Sequence, residues 1–412
     1  MRIGSWSSWK QCPHVVLGMM AVSLFAIAGV APQKASAADR ARVERSYFLY
    51  VGTYTGHSSK GIYQYRFDEK SGSLTAMGLA AEIGNPSFLA TDPEHRYLYA
   101  VTESANKGSQ PRTPGGAVSS FSIDPKTGAL TFLNSVPSGG RGPTHLTLDR
   151  TGKILFVAHY GSGSVASFAI EDNGSIGAMT ATDQHQGSSV DPARQKGPHA
   201  HATLVSPDNR FLFVPDLGLD KIFIYKIDLA KRSIAANDPA YAEVKPGLGP
   251  RHFVFGSGAR FAYAVCEMGA SVVAFSYDAA HGSLTPIQTI SILPKDFTGV
   301  DQGSEIQIAG SGKYLYASNQ GPEGESDLVD GRLTAFRIDG KTGLLKQLQF
   351  VPSGGKVLRN FALDPSGKYL LAGNEDSSSV AVFTVAGDGK IAPTKQVVEV
   401  GSPSSLLFVP AP

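Results

Sequence analysis

The chain has 412 residues, 37 Lys and Arg against 35 Asp and Glu, and 42% hydrophobic side chains. That length buries a large core, and the near-balanced charge argues against a nucleic-acid or anionic-membrane partner. Two cysteines are too few for a disulfide scaffold.

In chain order, the first segment reads as a leader. Arg2 and Lys10 precede or open onto an apolar run from Val15 to about Val30, and Ala35-Ser36-Ala37 supplies a small-x-small cleavage pattern. The run is short for a membrane span, and no second one follows. No paired arginines precede it and no cysteine follows the small residues. Sec-type export with cleavage after residue 38 is therefore expected, giving a periplasmic or secreted protein without membrane contact once cleaved. Losing residues 1–38 removes Arg2, Lys10 and Lys34, so 37 basic side chains fall to 34 against 35 acidic ones, a formal charge of −1. Cys12 leaves with the leader. Cys266 then has no internal partner and reads as a small buried hydrophobe.

From Phe48 onward one unit recurs seven times. Its aromatic strands are FLYVGT from Phe48, YLYAVT from Tyr97, ILFVAH from Ile154, FLFVPD from Phe211, FAYAVC from Phe261, YLYASN from Tyr314 and YLLAGN from Tyr369. Each is followed by an alternating strand such as GIYQYRFD, KIFIYKID or RLTAFRID, the spacing of half-buried antiparallel β-structure. Turns such as DEKSGSL, DPKTGAL and DGKTGLL place Asp, Gly and Ser or Thr where a tight reversal needs them. Four strands per unit, with no competing helical period, predict an all-β fold: a single seven-bladed β-propeller over residues 39–412. The first unit lacks the leading strand that the others have, and the chain ends on an orphan strand, Ser404–Val409. That strand is expected to complete the first blade and close the ring.

In such a meander, the loop entering the innermost strand and the loop leaving the second lie at one mouth of the central channel. Nine residues before the basic residue of each following turn stand Ser87, Thr144, His201, Arg251, Ser304 and Arg359. The next column holds Phe88, His145, Ala202, His252, Glu305 and Asn360. The ends of the second strands add Tyr54, Glu103, Tyr160, Asp216, Glu267, Asn319 and Glu375. A fold that needed only turns would place Gly, Ser, Asp and Asn at these points. The titratable and cationic side chains found there point to a site, whereas the DP, SPD and TG turns of the other face read as structural.

Gly197-Pro198-His199-Ala200-His201 puts two histidines on one side of a strand. No third His or Cys has a metal-like spacing, so no metal and no cofactor are expected. Glu267 and Glu305 could pair structurally with the arginines, and Tyr160 and His159 could simply pack. No Gly-x-Ser-x-Gly elbow, phosphate-cradling loop or CxxC motif is present. Water chemistry assisted by His and Glu remains, with Arg available for an oxyanion.

At these residues the chain resembles the β-propeller lactonase family, which includes bacterial 6-phosphogluconolactonases and fungal carboxy-muconate cyclases. The resemblance runs from about Tyr47 to Val409. It is carried by YVGTYT, GPHAHATLVSPDNRFLFVPDLGLDKI, GPRHFVF with CEMGASVVAF, SEIQI before KYLYASN, and LRNFALDPSGKYLLAGNEDSSSV. It implies a small-molecule sugar lactone as substrate. The acid–base set of the cyclase branch corresponds to His201, preferred over His199, with Arg251 and Glu267. His199, His252, Glu305, Arg359, Asn360, Tyr160 and Asn319 are then the expected substrate-binding residues. That branch also has an arginine after Ser-Asn, where this chain has Gln320. The difference weighs against a cyclase reaction and a doubly anionic substrate. A monomer is expected. In the leading reading, Glu267 or His201 activates water, Arg251 and Arg359 hold the lactone or its oxyanion, and His252 orients them. The alternatives are a muconate-type cycloisomerase and a non-catalytic propeller that binds a sugar or protein through the mouth and the insertions Ser104–Gly116 and Gln320–Gly331.

Overall fold

Alternation of apolar and polar side chains makes each repeat an antiparallel meander, and the computed structural model contains seven four-stranded sheets. It describes residues 45–56, 58–103, 115–298, 301–321 and 331–412. The leader and nearly all of both insertions lie outside these residues. The third blade shows the plan: Pro143–Leu148, Ile154–His159, Ser164–Ile170 and Ile176–Gln184 run from the channel outward. Its second and third strands are wholly buried, whereas the outermost one is largely half-buried or exposed. The only helical turn among the described residues is the short 3-10 segment Ser257–Ala259.

Buried apolar side chains fall into seven clusters among the described residues, and each cluster joins two neighbouring blades. A recurring seam explains why the second strands begin with aromatics and the hairpin turns end with glycine. The ring of Tyr97 lies against Gly174 of the next blade, and that of Phe261 against Gly343. Both glycines have left-handed backbones, with φ of 81° and 75°, and a Cβ at either would collide with the ring. Phe211 meets Gly282 in the same way, and Tyr314 meets Gly389. In the third blade the aromatic is replaced by Ile154, and the facing turn carries Arg232 with φ of 54° instead of glycine. Buried tyrosines one layer deeper pin the same turns. Tyr99, Tyr263 and Tyr316 donate to the carbonyls of Gly174, Gly343 and Gly389 at 3.0, 3.0 and 2.9 Å.

The last strand closes the ring. Pro403–Ala411 pairs antiparallel with Ser46–Thr53, matching Phe48 to Val409 and Val51 to Leu406. The closing strand also touches both neighbouring blades. Leu89 N donates to Ser405 Oγ at 3.1 Å, and Leu406 N donates to Asn360 Oδ1 at 3.0 Å. Across this junction Tyr369 packs on Gly72 and donates to Lys70 O at 3.1 Å.

Deleting residues 403–412 should abolish a single cooperative melt, because it exposes a strand edge of the first blade and strips its cluster with the seventh. Calorimetry of the truncated protein checks this. A melting temperature equal to that of the full chain would show that closure by this strand is not needed.

Candidate active site

The residues that enter the channel share a local irregularity. In the fifth blade, Pro250 pairs with Cys266 and His252 with Val265, leaving Arg251 as an extra residue. Thr144 is extra between Pro143 and His145, and Arg359 between Leu358 and Asn360. Ser404 is extra on the closing strand, between the partners of Gly52 and Thr53. Such bulges re-aim a side chain out of the ladder, here toward the channel. The innermost strand of the fourth blade is reduced to Leu204–Val205, and Ala200 makes a single bridge to Asp216. The expectation of two histidines on one strand is thereby corrected: His199 and His201 lie in irregular backbone before it. Ser404, Thr144, His201, Arg251 and Arg359 line one narrow cavity, together with His252 and Asn360.

One wall is built around Glu267. Arg251 Nε donates to its Oε2 at 3.0 Å, and Arg194 Nη2 donates to its Oε1 at 2.6 Å. Burial alone would raise the Glu267 carboxyl, but Arg251, Arg359 and Arg194 outweigh it and hold it below the usual glutamate range. Arg251 Nη1 donates to Ser304 O and lies 3.3 Å from His252 Nε2, while its Nη2 makes no hydrogen bond among the described residues. His201 is buried, its Nδ1 makes no hydrogen bond to another of the described residues, and its Nε2 stands 3.8 Å from Glu267 Oε2, beyond a hydrogen bond. Burial first, then Arg251, His252 and Arg359, hold its pKa well below the ordinary 6.5. This imidazole is therefore uncharged at neutral pH.

The floor of the cavity is a second polar cluster. Glu305 Oε2 accepts from Asn360 Nδ2 at 2.5 Å and lies 3.2 Å from His252 Nδ1. Burial pushes the Glu305 carboxyl up to about 7. His252 and His145, whose rings lie 5.2 Å apart, are both held well below 6.5 by burial. On the far wall, Arg359 Nη2 donates to Tyr54 Oη at 3.2 Å and Nη1 to Gln320 Oε1 at 3.3 Å.

Of the residues expected from sequence, His201, Arg251, His252, Arg359 and Asn360 line the cavity, with Glu267 and Glu305 directly behind them. Tyr160 and His199 stand at the rim, their rings stacked at 4.5 Å. His199 Nδ1 lies 2.8 Å from Tyr160 O, so this histidine is turned away from His201. Asn319 is fully buried and donates to Asp301, and it is not brought to the cavity. His159 is buried as packing, with Nε2 2.8 Å from Ser138 O. Burial pushes the Cys266 thiol far up, as an inert core residue requires. Arg194 escapes the sequence reading because it lies on the segment between the third and fourth blades, outside every repeat column. Among the described residues, no group of three or more His, Cys, Asp or Glu is placed to hold a metal ion. A neutral imidazole and a fixed guanidinium lining one cavity suit attack of water on a carbonyl.

Comparison with known proteins agrees with this geometry. The family model described as "Lactonase, 7-bladed beta-propeller" matches residues 48–408. A 6-phosphogluconolactonase of Bacillus subtilis is 31% identical over 337 residues, covering 82% of this chain and 90% of the relative. A 6-phosphogluconolactonase of Formosa agariphila is 33% identical over 361 residues, covering 87% and 98%. The solved structure of a periplasmic gluconolactonase from Pseudomonas aeruginosa is 36% identical, superposes with a TM-score of 0.81, and is matched over 89% of this chain and 100% of its own. With a match spanning nearly every blade, the chain belongs to the seven-bladed β-propeller lactonase family.

Proposed function

We propose that the protein hydrolyses a sugar lactone to its open hydroxy acid, with His201 as base and Arg251 as oxyanion donor. The observation that carries this is an uncharged, buried imidazole beside a buried guanidinium held by Glu267, both lining one cavity. Relatives that bear the names of sugar-lactone hydrolases support the substrate class.

Water gives its proton to His201 as its oxygen bonds to the lactone carbonyl carbon. The carbonyl electron pair moves to oxygen, where Arg251 stabilises it. Collapse breaks the ring carbon–oxygen bond, and His201 returns the proton to the departing ring oxygen. Glu267 is the poorer base, since two guanidiniums occupy its oxygens and lower its proton affinity. Its role is to fix Arg251. Glu305 and Asn360 orient His252 beneath the reacting centre, and Arg359 holds the polar edge of the lactone.

Export is proposed on the composition of residues 1–38, and a relative named as periplasmic supports it. Protein recovered from the periplasmic or culture fraction should begin near Ala38 or Asp39 by intact mass. Recovery with Met1 in place would end this proposal.

Arg251→Lys keeps the charge but loses the planar fork, so kcat should fall on the order of 10²–10³ with melting little changed. If Arg251 serves only to pair with Glu267, the variant instead melts earlier while turnover per folded molecule stays near wild type.

The pH profile follows from the same geometry. Catalysis needs His201 neutral, and its proton affinity is held well below 6.5. Glu305, raised to about 7 in the same cavity, is first replaced: in Glu305→Gln, kcat/KM, which reports the free enzyme, should stay level on acidification through pH 6.5 and fall only below it. An acid limb centred at or above 6.5 in that variant would remove His201 as the base.

A further inference from the structure

Across the cavity from Arg251 is a polar group that hydrolysis itself does not use. Glu103 follows the second strand of the second blade, Tyr54 follows that of the first, and Ser87 opens the second blade. All three line the cavity. Ser87 Oγ donates to Glu103 Oε1 at 2.5 Å, and Tyr54 Oη donates to the same oxygen at 3.2 Å. Tyr54 is itself held by Arg359, and burial, with smaller effects from its neighbours, pushes its phenol up to about 12, so it stays a donor. Both hydrogen bonds thus fall on Oε1, and among the described residues none reaches Oε2.

A carboxylate anchored through one oxygen in a cavity wall offers the other as a fixed acceptor. Hydroxyl groups supply the matching donors. A phosphate dianion has no such proton to give and meets like charge at that wall.

We propose that Glu103 is a specificity-determining residue, accepting a hydrogen bond from the primary hydroxyl of an unphosphorylated, polyhydroxylated lactone and discriminating against the counterpart phosphorylated at that hydroxyl. This rests on the lactone-hydrolase reading above. Glu103→Gln is a sharp probe, because Ser87 and Tyr54 will hold the amide oxygen and turn its NH2, a donor, into the cavity.

The experiment measures kcat and KM for glucono-1,5-lactone, its 6-phosphate and δ-valerolactone, with wild type and Glu103→Gln. Wild type should favour gluconolactone over both others. Glu103→Gln should raise the KM for gluconolactone about tenfold or more with a smaller effect on kcat, the scale of a lost charge-assisted hydrogen bond. The preference over both other lactones should shrink accordingly. If the variant does not melt cooperatively, Glu103→Asp replaces it. Aspartate retains the charge but withdraws it, so KM should rise while discrimination against the phosphate persists. Equal wild-type turnover of plain and phosphorylated lactone, an unchanged ratio in the variant, or a fall in kcat at constant KM would overturn the proposal. Acid release from none of the three lactones by folded wild type would instead overturn the lactone-hydrolase reading and this proposal with it.

Discussion

The molecule depends on one packing relation, the seating of each blade's leading side chain, an aromatic ring in every blade but the third, on a turn of the next blade. No blade could bury both of its faces alone, and a four-stranded sheet gains its core only from its neighbours. Burying one large side chain contributes roughly 1.5–3 kcal/mol, and the seam repeats around the ring with tyrosine hydroxyls pinning the same turns. A ring of such joints holds only if it closes. The closing strand does so by joining the first and last parts of the chain through backbone pairing and through clusters on either side.

Because stability lies in those joints, the entrances to the innermost strands are free to depart from regular pairing. They do so at the same place in the first, third, fifth and seventh blades, where one extra residue is squeezed from the ladder. Each bulge delivers a side chain to the channel, and the blades fill the slot differently: Ser404, Thr144, Arg251 and Arg359. His201 reaches the same cavity from irregular backbone anchored by His199 N on Asp216 Oδ1 at 2.8 Å. Repetition supplies the frame, and the departures from repetition supply the chemistry.

That division also decides what could be read from the sequence. The blade number, the closing strand and the column through His201, Arg251 and Arg359 follow from the period, because aromatic starts and glycine turns recur at fixed offsets. The bulges carry no composition of their own, so the regular strand expected around His199 and His201 is absent. Asn319 shares its column with Glu267, yet a buried neighbour, Asp301, captures its amide. Arg194 belongs to no column and reaches Glu267 only through the course of segment 186–198. The upward shift of Glu305 reflects burial by three neighbouring blades, which no local pattern encodes.

The electrostatics of the mouth then select the chemistry. A buried guanidinium needs a partner, since an unpaired buried charge costs several kcal/mol, and Glu267 supplies one to Arg251. That pairing fixes the guanidinium and lowers the proton affinity of Glu267, which makes the carboxylate a good anchor and a weak base. The same cations disfavour a proton on His201 and leave its imidazole neutral. Holding a guanidinium in place and keeping a neutral base beside it are therefore two consequences of one arrangement. Arg194 reinforces the anchor: it donates to Glu267 Oε1 while Arg251 holds Oε2, and it lowers the carboxylate's proton affinity further.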